Sequence, residues 1–173
     1  MKILIFWDVY GRLWREALKK ELPVLREKYK SDFVIANIEN ATGGKWPISE
    51  HARELSSTWI DVMTGGDHIF DNAPNIYDYF RTPWCNLIRP ANFYESIHSV
   101  VQGKGYMIVQ KWEMRLLVIQ IIGEVFMNHK VYNPFLCIEK MLSEVPKEEY
   151  DVCVVDFHRE TTAELYGMAH FLD

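Results

Sequence analysis

Cysteine is scarce in this chain: Cys85, Cys137 and Cys153 are the whole complement of its 173 residues, and no two of them are spaced as a CxxC pair. An odd, scattered set excludes a disulfide framework and a zinc knuckle, and it predicts free thiols in a reducing compartment. Positive charge is short as well. The 19 lysines and arginines face 24 acidic residues, giving a net charge of −5 and a pI near 5.7. Without a basic stripe, electrostatic capture of a nucleic acid polymer is excluded, whereas a small nucleotide held through a bound cation is not. No apolar run approaches the roughly 18 residues of a membrane span. The first run is too short for a signal-peptide core, lacks a small-residue cleavage site and ends in Asp8, which predicts a cytoplasmic protein with its mature N-terminus in place. No glycine-rich dinucleotide or phosphate loop follows that run, which makes an ordinary doubly wound nucleotide-binding protein the weakest of the readings open to the chain. Repeats, low-complexity tracts and linkers are also missing.

What is present suffices for one domain with a real core: 49% of the residues are hydrophobic and 14% aromatic. Residues 1–173 are therefore read as a single domain. Strand patterns alternate with helical ones, the signature of βαβ units and an α/β fold with a largely parallel sheet. Apolar runs lead to Asp8, to Glu39-Asn40, to Asp67-His68 and to Asp156-Phe157-His158. Strands apolar on both faces are buried parallel strands, and ligands in such sheets bind beyond their carboxyl ends. Arg12 to Lys30 carries Leu13, Ala17, Leu18 and Leu22 at helical spacing, and Pro23 is expected to start a second helical piece. Asn40 to Pro47 is a loop, and Ile48 to Ser57 is helical. Tyr106–Gln110 and Leu116–Ile119 flank a polar turn at Glu113, as an antiparallel hairpin would, so a mixed or two-sheet sandwich is expected. Asn133 to Val145 and Glu160 to Leu172 are the last helices.

The residues at these strand ends suit hard cations. A carboxylate after a strand reaches a metal, and one such as Glu39, with two oxygens, can bridge a pair about 3.5–4 Å apart. Asn37 and Asn40 offer amide oxygens. Gly65-Gly66 lets the backbone approach a ligand beside Asp67 and His68. Each has a plainer reading: Asp8 as a helix cap, Glu39 as a solvated loop residue, the asparagines as turn residues and His158 as a strand-end histidine bonded to backbone. His51, His98, His129 and His170 follow no apolar strand with an acidic neighbour and are read as structural or surface residues.

Taken in order, five segments carry a resemblance: Met1-Lys2-Ile3-Leu4-Ile5-Phe6-Trp7-Asp8-Val9-Tyr10-Gly11; Phe33-Val34-Ile35-Ala36-Asn37-Ile38-Glu39-Asn40-Ala41; Thr64-Gly65-Gly66-Asp67-His68-Ile69-Phe70-Asp71; Arg89-Pro90-Ala91-Asn92; and Asp156-Phe157-His158-Arg159-Glu160-Thr161-Thr162-Ala163-Glu164. Together they resemble the YmdB-type branch of the calcineurin-like metallophosphoesterases, along the whole chain. The resemblance implies an αββα sandwich and two divalent metal ions, iron or manganese. It implies hydrolysis of small phosphodiesters such as 2′,3′-cyclic nucleotides. Carried over by position, Asp8, Glu39 and Asn40 serve the first metal, Glu39 also bridges to the second, Asp67 and His158 serve the second, and His68 is the proton donor. A homo-oligomer is compatible with this reading.

Against the family pattern, Trp7 stands where glycine is usual and Asp67 where asparagine is usual, which adds one negative charge to the site. Gln120 and Glu124 replace an asparagine and an arginine near the end of the hairpin. Relatives continue past a stretch like Phe171-Leu172-Asp173 into a Gly-Thr-His-Thr-His segment that supplies two further histidine ligands. The chain is accordingly expected to be the N-terminal two-thirds of the domain, without its C-terminal strands. The alternative is a truncated, non-catalytic regulator that binds metal or nucleotide.

Overall fold

The computed structural model describes residues 1–94 and 102–173, so His98 lies outside the described residues. Contacts divide the chain into two units, Met1–Ile88 and Arg89–Asp173. Together they make a mixed α/β fold.

The first unit is built on four parallel strands in the order β1-β2-β3-β4: Ile3–Phe6, Phe33–Asn37, Val62–Thr64 and Leu87–Ile88. All five residues of β2 are buried, which explains why its sequence is apolar on both faces. At the edge, β1 leaves Ile5 44% exposed. The crossovers are α1 (Gly11–Tyr29), α2 (Ser49–Ser56) and α3 (Pro74–Phe80). Pro23 does not start a second piece. It sits inside one unbroken α1, because it faces solvent, where the Lys19 carbonyl it leaves without an amide partner is within reach of water. Leu18 and Leu22 form the buried stripe of that helix. Arg15, 7% exposed, ties α1 to α2 and to the loop between β2 and α2: its Nε is 2.9 Å from Glu54 of α2, and it donates to the Ala41 carbonyl.

In the second unit β5 (Tyr106–Lys111) pairs antiparallel with β6 (Met114–Ile122), which pairs parallel with β7 (Val152–His158). The hairpin turn is Trp112-Glu113, with Trp112 at φ 54. Helices α4 (Pro134–Glu144) and α5 (Thr162–Leu172) supply Ile138, Met141 and Met168 to a core with Leu117, Ile119, Ile121 and Phe157. Asn92, fully buried, pins this unit together: its amide donates to the carbonyls of Ile122 (2.7 Å) and Tyr132 (2.9 Å) and accepts from the Ile122 amide (3.0 Å). Thr161 caps α5, its Oγ1 accepting from the Glu164 amide and donating to Glu164 Oε2, while Glu164 Oε1 accepts from the backbone amides of Glu124 and Val125.

All three cysteines are free and half-buried. No helix among the described residues is long and apolar enough to cross a membrane.

Candidate metal centre

The strand ends of the first unit gather the acids. Val9 donates to the Asn37 carbonyl (3.0 Å) and Gly11 to the Asn40 carbonyl (3.0 Å), so the loop after β1 lies against the loop after β2. Asp8 consequently faces Asn40, whose Nδ2 donates to both Asp8 oxygens at 3.2 and 3.0 Å and to Glu39 Oε1 at 3.3 Å. Asp8 is not a helix cap: the residue preceding α1 is Tyr10, and α1 has no side-chain cap. Nor is Glu39 a solvated loop residue, because it is only 6% exposed. Asn37 turns its Oδ1 onto the Glu39 amide at 3.1 Å and thereby fixes the bend that aims Glu39.

After β3 the chain turns through Gly65 and Gly66 into a short 3-10 turn, Asp67–Phe70. Gly66 has φ 58, and a Cβ there would lie 1.3 Å from Glu39 Oε2, so only glycine leaves room for this carboxylate. Asp67 is 7% exposed, and carboxylate oxygens of Glu39 and Asp67 lie within 4.8 Å of each other. Two buried carboxylates this close repel unless a proton or a cation lies between them. With the Asp8 carboxylate, held to Glu39 through the Asn40 Nδ2, they offer hard oxygen donors of the kind a divalent metal takes.

His68 follows on the same turn. Its Nδ1 is 2.6 Å from Asp71 Oδ2, and its Nε2 is 3.8 Å from Asp67 Oδ1. Burial alone would lower the imidazole pKa, but the hydrogen bond to Asp71 and the charges of Asp67, Asp71 and Glu39 outweigh it and raise it above the ordinary value. Asp71 commits Nδ1, which leaves Nε2 as the atom able to hand on a proton. The sequence carries this signal as His-x-x-Asp. Residues three apart meet in any helical turn, but the spacing by itself does not show that the chain turns helically here.

His158 is the last residue of β7 in the second unit, paired in register with Ile122, and its carbonyl accepts from the Gly123 amide at 2.8 Å. The strand-end placement is as the sequence indicates. Both departures near the hairpin lie in this unit. Gln120, fully buried, donates to Asp156 Oδ2 across the β6-β7 ladder at 3.1 Å, and Glu124 accepts from Asn133 Nδ2 at 3.3 Å. Trp7 is 60% exposed. Of the histidines read as structural, His51 is 2.7 Å from the Thr42 hydroxyl, and His129 packs edge-on against Phe93.

Comparison with known proteins agrees with the segment pattern. A family model described as YmdB-like protein matches residues 4–173. A 2′,3′-cyclic-nucleotide 2′-phosphodiesterase of Bacillus subtilis strain 168 is 34% identical over 173 residues, all of this chain and 62% of that protein. A candidate phosphatase/phosphodiesterase of Mycoplasma genitalium is 29% identical over 165 residues, 95% of this chain and 57% of that protein. Among solved structures, a novel phosphatase from Mycoplasma pneumoniae superposes with a TM-score of 0.89 at 28% identity, covering all of this chain and 60% of its own. The chain thus spans 57–62% of the length of these curated relatives.

Proposed function

The chain belongs to the YmdB-like family, and on that premise we propose that it hydrolyses small phosphodiesters such as 2′,3′-cyclic nucleotides at a centre of two divalent metal ions, iron or manganese. The observation that carries this reading is the buried Glu39 carboxylate, seated in the space left by Gly66 and within 4.8 Å of the Asp67 oxygens. By the family pattern, Asp8, Glu39 and Asn40 would hold the first ion and Glu39, Asp67 and His158 the second. When bound, such ions neutralise phosphate charge and make an attacking water acidic enough to act as a nucleophile at neutral pH.

The residues divide the remaining work. Asn40 lies between Asp8 and Glu39 and fixes their spacing, and serving a cation itself requires that it present its Oδ1. Asn37 orients Glu39 through the backbone. His68, with Nδ1 held by Asp71, presents Nε2 to the departing ribose oxygen and donates the proton that oxygen needs. Asp67 in place of asparagine makes the donor set more negative, which favours tighter cation binding and weaker Lewis acidity. The cytosol, where these metals and free thiols coexist, is the compartment that suits this reading.

The test is hydrolysis of 2′,3′-cyclic AMP after exhaustive chelation. Activity should vanish with the chelator and return with manganese or iron. Hydrolysis that persists undiminished in the chelator would reject the reading.

A further inference from the structure

Three exposed aromatic residues stand on backbone of positive φ: Trp59 (φ 70), Trp112 (φ 54) and Phe126 (φ 64). This left-handed region is unfavourable for any residue with a Cβ and is the usual place of glycine or asparagine. Two of the three have a local use there. The Arg26 guanidinium lies over the Trp59 ring, 5.8 Å from its centroid, and Arg26 Nη1 donates to the Trp59 carbonyl at 2.8 Å. Trp112 is the first residue of the two-residue hairpin turn, where positive φ matches the twist of the strands it joins. Phe126 is in neither situation, and it is 85% exposed. It is the third residue of the turn Glu124–Met127, which the Met127 amide closes on the Glu124 carbonyl at 3.5 Å. Of the two central residues only Phe126 has a positive φ, the pattern of a type II turn, whose third position calls for glycine or asparagine.

The fold around this turn holds it in place. Glu164, 9% exposed, accepts from the amides of Glu124 (2.7 Å) and Val125 (3.3 Å) with Oε1 and from the Thr161 hydroxyl (3.0 Å) with Oε2. Gly123 leaves room for that carboxylate, since a Cβ there would lie 2.5 Å from Glu164 Oε2. The Gly123 amide in turn donates to the His158 carbonyl at 2.8 Å, so the turn begins beside the end of β7 that carries His158. Strands β6 and β7 run parallel and both finish here, at the edge where such strands bind ligands. Three residues of chain reach at most about 10 Å, so Phe126 stays within a nucleotide's length of Gly123. An unfavourable backbone and an apolar ring turned to water both cost stability, and backbone outliers of this kind gather at ligand clamps.

We propose that Phe126 is the seat of the nucleobase: its ring stacks on the base of a 2′,3′-cyclic nucleotide whose phosphate is held on the side of His158. This rests on the phosphodiesterase reading, in which His158 serves a metal. Stacking on a ring face reads no hydrogen-bonding edge, so every base is accepted. A cyclic phosphodiester without a base gains nothing from the ring.

The test compares two substrates that share the ribose and the cyclic phosphate: 2′,3′-cyclic AMP and the 2′,3′-cyclic phosphate of methyl β-ribofuranoside, which has no base. In manganese-loaded enzyme, Phe126→Ala should raise KM for 2′,3′-cyclic AMP roughly 5–100-fold with kcat little changed, and should leave both constants for the base-free substrate unchanged. Phe126→Trp should restore the wild-type KM. Calorimetry with adenosine 3′-monophosphate gives a readout apart from turnover: Phe126→Ala should weaken its binding by the same factor as KM, with inorganic phosphate unaffected. Trp112→Gly and Phe126→Gly control for strain and folding. Each relieves a left-handed position and removes no buried contact, so neither should lower the melting midpoint by more than about 2 °C, and only Phe126→Gly should raise KM. Equal changes of KM on the two substrates would overturn the proposal. So would a larger fall in the melting midpoint of Phe126→Gly, or a change of oligomeric state in light scattering with KM unaltered, which would make the ring a packing or an association contact. If the wild type hydrolyses neither substrate, the phosphodiesterase reading fails, and the calorimetric comparison decides the base seat by itself.

Discussion

Glu39 occupies the space that a side chain at position 66 would fill: a Cβ built on Gly66 falls 1.3 Å from Glu39 Oε2 and 2.4 Å from its Cδ. Because Gly66 also has φ 58, an alanine there meets both backbone strain and a displaced buried carboxylate. Gly43, at φ 60 with nothing within 4 Å, has a positive φ without the clash, while Gly66, with ψ −162, lies in a region almost reserved for glycine and carries the larger strain as well. Gly43→Ala should cost about 1–2 kcal/mol, the strain alone. Gly66→Ala should cost roughly 3 kcal/mol or more and weaken metal binding, while Gly43→Ala leaves metal binding unchanged. Urea unfolding with manganese titration measures both. Equal costs at the two positions would mean that Glu39 yields without penalty.

His68→Ala should lose roughly 10²–10⁴-fold in turnover of a 2′,3′-cyclic nucleotide while keeping its metal content. An aryl phosphodiester, whose leaving group needs no proton, should suffer less. Asp71→Asn should show a smaller loss of the same kind, because it disturbs the imidazole's orientation without removing it. Metal loss in His68→Ala would make His68 a ligand. Equal losses on the two substrates would leave it a phosphate-positioning role.

Asn92 makes three hydrogen bonds from a fully buried site, two of them to Ile122 at the end of β6. Asn92→Ala strands these partners and should cost roughly 2–4 kcal/mol. Denaturant unfolding gives the value, and an effect under about 0.5 kcal/mol would show that water replaces the amide.

Acid should weaken the α1–α2 contact. Burial alone would raise the Glu54 pKa, but hydrogen bonds and charge from Lys19 and Arg15 outweigh it and hold the pKa below the ordinary glutamate value. A depressed folded pKa contributes stability that is fully present above the unfolded value of about 4.3 and is lost as pH falls through the folded one. Unfolding free energies measured from neutral pH down to that window should fall less steeply in Glu54→Gln than in the wild type. Identical slopes would remove Glu54 from the acid response.

The parts legible in the sequence are those set by local pattern. The all-apolar run of β2, the hairpin around Glu113 and the helices after Asn133 and Thr161 are periodicities, and all appear within a few residues of their expected ends. Asp8, Glu39, Asn40, Asp67 and His68 are legible as a set because each follows a strand of the same parallel sheet at its carboxyl end. What cannot be read depends on burial or on distant partners. Pro23 has the local pattern of a helix start, but its solvent-facing position within α1 is decided by packing. Asp71 and Asn92 stand inside the family-like segments with no role visible from pattern, since the groups they bond, the His68 ring and the carbonyls of Ile122 and Tyr132, are fixed only by the folded chain.

The most direct test of a metal centre organised by Glu39 is to count metal by mass spectrometry in the wild type and in Glu39→Gln, with 2′,3′-cyclic AMP hydrolysis measured on the same samples. The amide keeps the shape of the side chain and removes its charge, so folding should be preserved, metal occupancy should fall and turnover should drop by at least roughly 10²-fold. A Glu39→Gln protein that retains both its metal content and its turnover would contradict the assignment.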